Sequence, residues 1–85
     1  MPGKKRQTYA ERERQAREAV DTWNTRHAKG ELVEYLDFPS ARWMQYRTTS
    51  AAFALSNHTA CIMFEGRREA AELRHVREVA VVAGR

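Results

Sequence analysis

Thr59-Ala60-Cys61-Ile62-Met63-Phe64 is the stretch on which the fold turns. Read as an extended chain, it puts Ala60, Ile62 and Phe64 on one face and Cys61 and Met63 on the other. Ser56-Asn57-His58, just before it, is a tight polar turn placed where a hairpin connection would be. On the far side of that turn, Ala51 to Leu55 is open between two readings. Its alanines favour a helix, whereas the turn that ends it favours a strand.

Upstream, the sequence carries two more strand signals. Arg42 to Thr49 alternates in part, which places Met44 and Tyr46 on one face and Trp43, Gln45 and Arg47 on the other. If Met44 and Tyr46 face inward, Trp43 faces out. Leu32 to Leu36 is a short β-type run closed by Asp37 and by the turn signal Pro39-Ser40. Downstream, Gly66-Arg67-Arg68 turns the chain into Ala70 to Arg74. His75 to Val82, with Val76, Val79, Val81 and Val82, has the makings of one helical turn and a closing strand.

Before Gly30 the period changes. Thr8 followed by Glu11 is a capping box, and Ala16, Val20, Trp23 and His27 recur at helical spacing, so Thr8 to His27 reads as a helix with one narrow apolar stripe. Glu13 to Arg17 and Arg17 to Asp21 pair opposite charges on its polar side. A helix with so thin a seam needs something to dock on, and Gly30 supplies a stop before the strands begin. The C-terminal half of the stripe is expected to pack on the β-domain, with Tyr9 to Arg17 projecting as a charged arm. Together these signals predict a mainly β chain with one N-terminal α-helix and a small antiparallel SH3-like barrel of about five strands. The boundaries are a disordered basic leader over 1–7, the helix over 8–29 and the barrel over 30–85, with helix and barrel forming one domain.

Eighty-five residues leave room for one domain. The single cysteine, Cys61, excludes an intramolecular disulfide, and no signal peptide or long apolar run appears, so the expected setting is cytoplasmic, with no membrane contact. The net charge of +4 divides unevenly, because Lys4, Lys5 and Arg6 supply three of the four positive charges. A basic leader on a near-neutral body suits weak attraction to phosphates better than it suits a dedicated nucleic-acid groove.

Trp23-Asn24, Gly30-x-x-Val33-x-Tyr35, Arg47-Thr48-x-Ser50-x-Ala52, His58-Thr59-Ala60-x-Ile62, Gly66 and Leu73-x-x-Val76 together resemble a group of short proteins of bacteriophages, prophages and other mobile elements. The resemblance covers roughly residues 20–80. It implies a leading helix, a compact β-domain and a host bacterial cytoplasm, and it implies no particular activity. Asn57 stands where this group leads one to expect a glycine, and Arg67-Arg68-Glu69 replaces a glycine-rich turn.

The candidate sites are few. Arg47-Thr48-Thr49-Ser50 offers a guanidinium and three hydroxyls to a phosphate or carboxylate, although such residues also suit an exposed strand. His58 and Cys61 are spaced like two metal ligands, but a structural zinc needs four and no second pair follows, so no metal is expected. No nucleophile, base and orienting group fall at usable spacing, and there is no glycine-rich phosphate loop. The chain is therefore expected to be no enzyme, with no cofactor and no small-molecule substrate. Trp43 with Arg42 and Arg47 combines a stacking surface with cations, as barrels that bind single strands do. Arg67 and Arg68, with Arg74 and Arg77 behind them, are the one basic cluster inside the domain, interleaved with Glu65, Glu69, Glu72 and Glu78 into a mixed-sign surface. Lys4, Lys5, Arg6, Arg42, Trp43, Arg47, Arg67 and Arg68 are thus the expected contact residues. The partner they suggest is nucleic acid, for an accessory protein of a mobile element. The alternative is a host protein complex, for a small antagonist of a host machine such as a defence system.

Overall fold

A computed structural model describes residues 8–79 of the chain. The expected leader over 1–7 and the last residues of the closing strand lie outside them. Helix α1 (Tyr9–Arg26) starts as its capping box dictates. The Glu11 amide donates to the Thr8 hydroxyl at 3.1 Å, and the Thr8 amide donates to the Glu11 carboxylate at 2.8 Å. The helix stops at His27, whose amide donates to the Trp23 carbonyl at 2.9 Å. Gly30 then takes the positive φ of +95° that its lack of a side chain permits.

Among the described residues six strands follow: β1 (Leu32–Asp37), β2 (Arg42–Arg47), β3 (Phe53–Leu55), β4 (Thr59–Ile62), β5 (Ala71–Glu72) and β6 (Val76–Glu78), with a 3₁₀ turn at Leu73–His75 between the last two. Within Ala51 to Leu55 the last three residues are strand, because Phe53, Ala54 and Leu55 pair with Cys61, Ala60 and Thr59 across the turn, while Ala51 and Ala52 lie before it in irregular chain. Ser56 and Asn57 both hold positive φ, 52° and 69°, and the His58 amide donates to the Leu55 carbonyl at 3.2 Å, which closes a tight turn inside the three-residue loop between Leu55 and Thr59. The helical turn begins at Leu73, two residues before the position that the sequence suggests.

The expected closed five-stranded barrel is not what forms. The six strands make two antiparallel three-stranded sheets, in the orders β2-β1-β6 and β3-β4-β5. Only an isolated bridge between Thr48 and Phe64 links them. Strands of two to six residues supply too few ladder bonds to run unbroken around a barrel, so the sheets part at the chain's bends. The fold is a mixture of helix and β-structure.

Val33, Ala52, Ile62, Phe64, Ala71 and Leu73 form the buried core, which Val20 and Trp23 of α1 cover from the helix side. The docking is also polar. Asn24 of α1 donates from Nδ2 to the Ala52 carbonyl at 3.1 Å and accepts from the Ala52 amide at 2.8 Å, so one side chain satisfies both backbone groups at the entrance to β3. The charged-arm expectation needs correction. Ala16 is buried, and the Tyr9 ring lies 5.7 Å from the His58 ring, so α1 contacts the β-domain over more of its length than the stripe of Val20, Trp23 and His27.

Candidate functional site

Backbone direction decides which edge of the β2-β1-β6 sheet is open. In an antiparallel ladder, successive residues turn their N–H and C=O groups alternately toward the neighbour and away. The Thr48 amide donates to the Glu31 carbonyl at 3.0 Å, so Thr48 and, counting back by twos, Tyr46, Met44 and Arg42 address β1. Trp43, Gln45 and Arg47 address the other side. There the Arg47 carbonyl accepts from the Glu65 amide at 2.8 Å, and the Thr49 amide donates to the Met63 carbonyl at 2.9 Å. Gly66, at φ +84°, then carries the chain away. Among the described residues, no strand pairs with Trp43 and Gln45 along this edge.

The side chains along β2 fall into two rows. On one face Trp43 pairs with Leu36 and Gln45 with Glu34. The Arg77 guanidinium carbon sits 3.6 Å from the centroid of the Trp43 ring, while its Nε donates to Glu34 Oε1 at 2.8 Å. On the other face Tyr46 stacks on buried Phe64, ring centroids 4.9 Å apart and nearly parallel at 4°, and the Arg67 guanidinium lies 5.6 Å from the Tyr46 centroid and 5.1 Å from that of Tyr35. The Tyr46 side chain holds the Arg67 guanidinium above its ordinary pKa against the opposing effect of burial. Arg67 Nε is buried with no hydrogen-bond partner.

Trp43 is 39% exposed, as its alternation suggests, but the premise behind that expectation fails: Met44 is 43% exposed as well. The inner face of β2 is covered at Tyr46, near the bridge to Phe64, and is left open toward Met44, where no second sheet reaches.

Of the expected contact residues, Lys4, Lys5 and Arg6 lie outside the described residues. The other five gather around β2. Arg42 and Trp43 start the strand and Arg47 ends it. Arg67 leans over Tyr46 from the turn that Glu65 bonds to Arg47, and exposed Arg68 follows it. Their chemistry differs from the expected surface. Arg67 is a semi-buried cation held by two tyrosines, with Glu69 3.8 Å away, so the mixed-sign description holds only for its neighbours. Among the described residues, Arg42, Arg47 and Arg68 form no ion pair.

Three side chains of the Arg47-Thr48-Thr49-Ser50 run bond within the fold, and Arg47 keeps its charge at the surface while doing so. Arg47 Nη1 donates to the Gly30 carbonyl at 2.8 Å, the Thr48 hydroxyl accepts from the Gly30 amide at 2.9 Å, and the Ser50 hydroxyl donates to the Ala51 carbonyl at 2.8 Å and accepts from the Met63 amide at 3.2 Å. Arg77, Glu34 and Met44 are the members of the surface that sequence reasoning missed. An opposite charge on two separate strands signals a pair only once their register is known.

A second concavity, an open groove of about 1020 Å³, runs between α1 and the β4-to-β6 segment. Ala16, Trp23, Ala60, Leu73 and Val76 contribute apolar surface to it, and charges of both signs rim it. At its end His27 lies against the Trp23 ring at 4.0 Å, with Nδ1 2.7 Å from Glu31 and Nε2 3.3 Å from Glu78. Among the described residues, no group of three His, Cys, Asp or Glu side chains is placed to hold a metal ion. None of their helices is long and apolar enough to cross a membrane.

No protein-family model matches this chain, and neither the curated proteins nor the solved structures yield a match.

Proposed function

We propose that this is a non-enzymatic binding protein whose partner is another protein, and that β2 and its open edge form the contact. The observation that carries the reading is the conjunction, on one strand, of unpaired backbone groups at Trp43 and Gln45 with two large exposed apolar side chains, Trp43 and Met44. Sheet edges of this kind are ordinarily blunted by proline, a bulge or a covering segment. The resemblance to phage and mobile-element proteins puts the partner in the cytoplasm of a bacterial host, where a small antagonist or adaptor of a host machine, such as a defence complex, fits the size and the near-neutral body. The β1–β2 hairpin, the 3₁₀ turn ahead of β6 and the return of β6 to β1 support an SH3-like arrangement of the strands.

Nucleic-acid binding by an accessory protein is the second reading, favoured by Arg42, Arg47 and Arg68 around β2, which form no ion pair among the described residues, and by the leader cations Lys4, Lys5 and Arg6. It ranks below the first because Arg77 is held by Glu34 and Arg67 by tyrosines, and Arg77 already covers a face of Trp43 where a base would stack.

The test is a selection from a displayed library of bacterial protein fragments, after nuclease treatment. Enrichment of fragments that bind the parent and lose the Trp43→Ser/Met44→Ser variant supports the protein reading. Binding confined to single-stranded oligonucleotides, with affinity falling steeply between about 50 and 200 mM salt, overturns it.

A further inference from the structure

Resting on the reading of this chain as a protein-binding module, we infer that β2 recognises its partner by strand addition: a short extended peptide with an apolar centre and acidic flanks pairs with the backbone at Trp43 and Gln45. The geometry is already half realised within the molecule. Met63 and Glu65 bond to Thr49 and Arg47 along the outer side of the β2 segment, and Gly66 takes the chain off that line. A ligand strand continues the line where Gly66 leaves it, meeting N–H and C=O groups of Trp43 and Gln45 that are spaced two residues apart on one side.

Side chains set the ligand's character. A strand's residues alternate between faces, so one row of the peptide meets Trp43 and Gln45 and the other meets Met44 and Tyr46. Trp43 and Met44 make both rows apolar at the centre. Arg42 and Arg47 stand at the two ends of β2, and among the described residues neither forms an ion pair, so carboxylates flanking the apolar centre are the complementary charges. A second copy of the chain is the poorer occupant, because joining two β2 edges brings Arg42 and Arg47 of both copies together. Nucleic acid offers no ladder of amides to an edge.

The backbone origin of the interaction makes it separable from side-chain contact. The Gln45 amide faces away from β1, so Gln45→Pro removes a donor from the open edge without breaking a β1–β2 bond, which is the setting where a strand tolerates proline. The probe is a displayed library of nine-residue peptides randomised at alternate positions, screened against the parent, Gln45→Pro, Gln45→Thr and Trp43→Ser. Strand addition predicts enriched peptides with Asp or Glu at both ends, an affinity lowered about tenfold or more by Gln45→Pro and unchanged within about twofold by Gln45→Thr, and slowed amide exchange at Trp43 and Gln45 on binding. Circular dichroism melts test whether the three variants fold; if Gln45→Pro does not, the exchange measurement on the parent decides alone. Peptides that bind Gln45→Pro as well as the parent but lose Trp43→Ser overturn strand addition and leave the protein-binding reading standing. A concentration-dependent dimer that Gln45→Pro abolishes assigns the edge to a second copy and overturns the proposal. Failure of any peptide or protein fragment to bind overturns both.

Discussion

Arg77 is clamped between Trp43 and Glu34: its guanidinium carbon lies 3.6 Å from the centroid of the indole ring, and its Nε donates to the carboxylate at 2.8 Å. The three residues come from β2, β6 and β1, so the clamp ties together all three strands of one sheet. A double-mutant cycle of Trp43→Leu and Arg77→Met in urea unfolding should give a coupling energy of about 0.5–1 kcal/mol, the range of a partly exposed cation–π pair. Additivity of the two substitutions would mean that the stacking contributes nothing.

Asn24→Ala should lower the unfolding free energy by about 2–3 kcal/mol, because it strips the partner from both the amide and the carbonyl of Ala52 at once. Asn24→Asp keeps the acceptor for the Ala52 amide, sets a carboxylate against its carbonyl, and should be no milder. Denaturant midpoints for the two variants check this.

Burial pushes the thiol of Cys61 above its ordinary range, and the Glu72 carboxylate pushes it the same way. The folded chain therefore holds the proton more tightly than the unfolded chain. The resulting stabilisation is complete below the ordinary thiol pKa of about 8.5 and is lost as pH rises from there through the raised folded value. Melting temperatures measured from about pH 7 to 10 should fall more steeply for the parent than for Cys61→Ala. Equal slopes would contradict the assignment.

At the β3–β4 turn both central residues, Ser56 and Asn57, occupy the left-handed region that a side chain makes costly. Asn57→Gly should raise stability by about 1 kcal/mol, read from the thermal midpoint. Ser56→Val, which puts a β-branched residue at positive φ, should lower it by at least as much.

What could be read from the sequence was local. The Thr8–Glu11 box, the helical stripe through Trp23 and the polar turn at Ser56–Asn57 each involve residues within a few positions of one another, and they form as read. The alternation of Trp43 and Met44 was legible as a pattern but not as burial, because alternation assigns faces while the reach of the opposite sheet decides which are covered. Arg67 over Tyr35 and Tyr46, Asn24 on Ala52 and Arg77 on Trp43 depend on segments distant in sequence, and no spacing rule brings them together. The same holds for the candidate surface: five of its residues could be named from the sequence, but the open edge that organises them follows from the register of β1 and β2 and from the departure of the chain at Gly66.

The pairing of Val33 with Glu78 joins the first strand of the domain to the last. The core that α1 covers includes Leu73, and β1 acquires its second neighbour only through Val76–Glu78. Until Leu73–Glu78 has folded back, the tryptophan stripe of α1 lacks part of its cover and β1 lacks one of its two neighbours. Bringing such distant segments together is the slow part of folding in chains of this kind, so a destabilising substitution in β6 should slow refolding as well as weaken the folded state; one that only speeds unfolding would place the closure after the transition state.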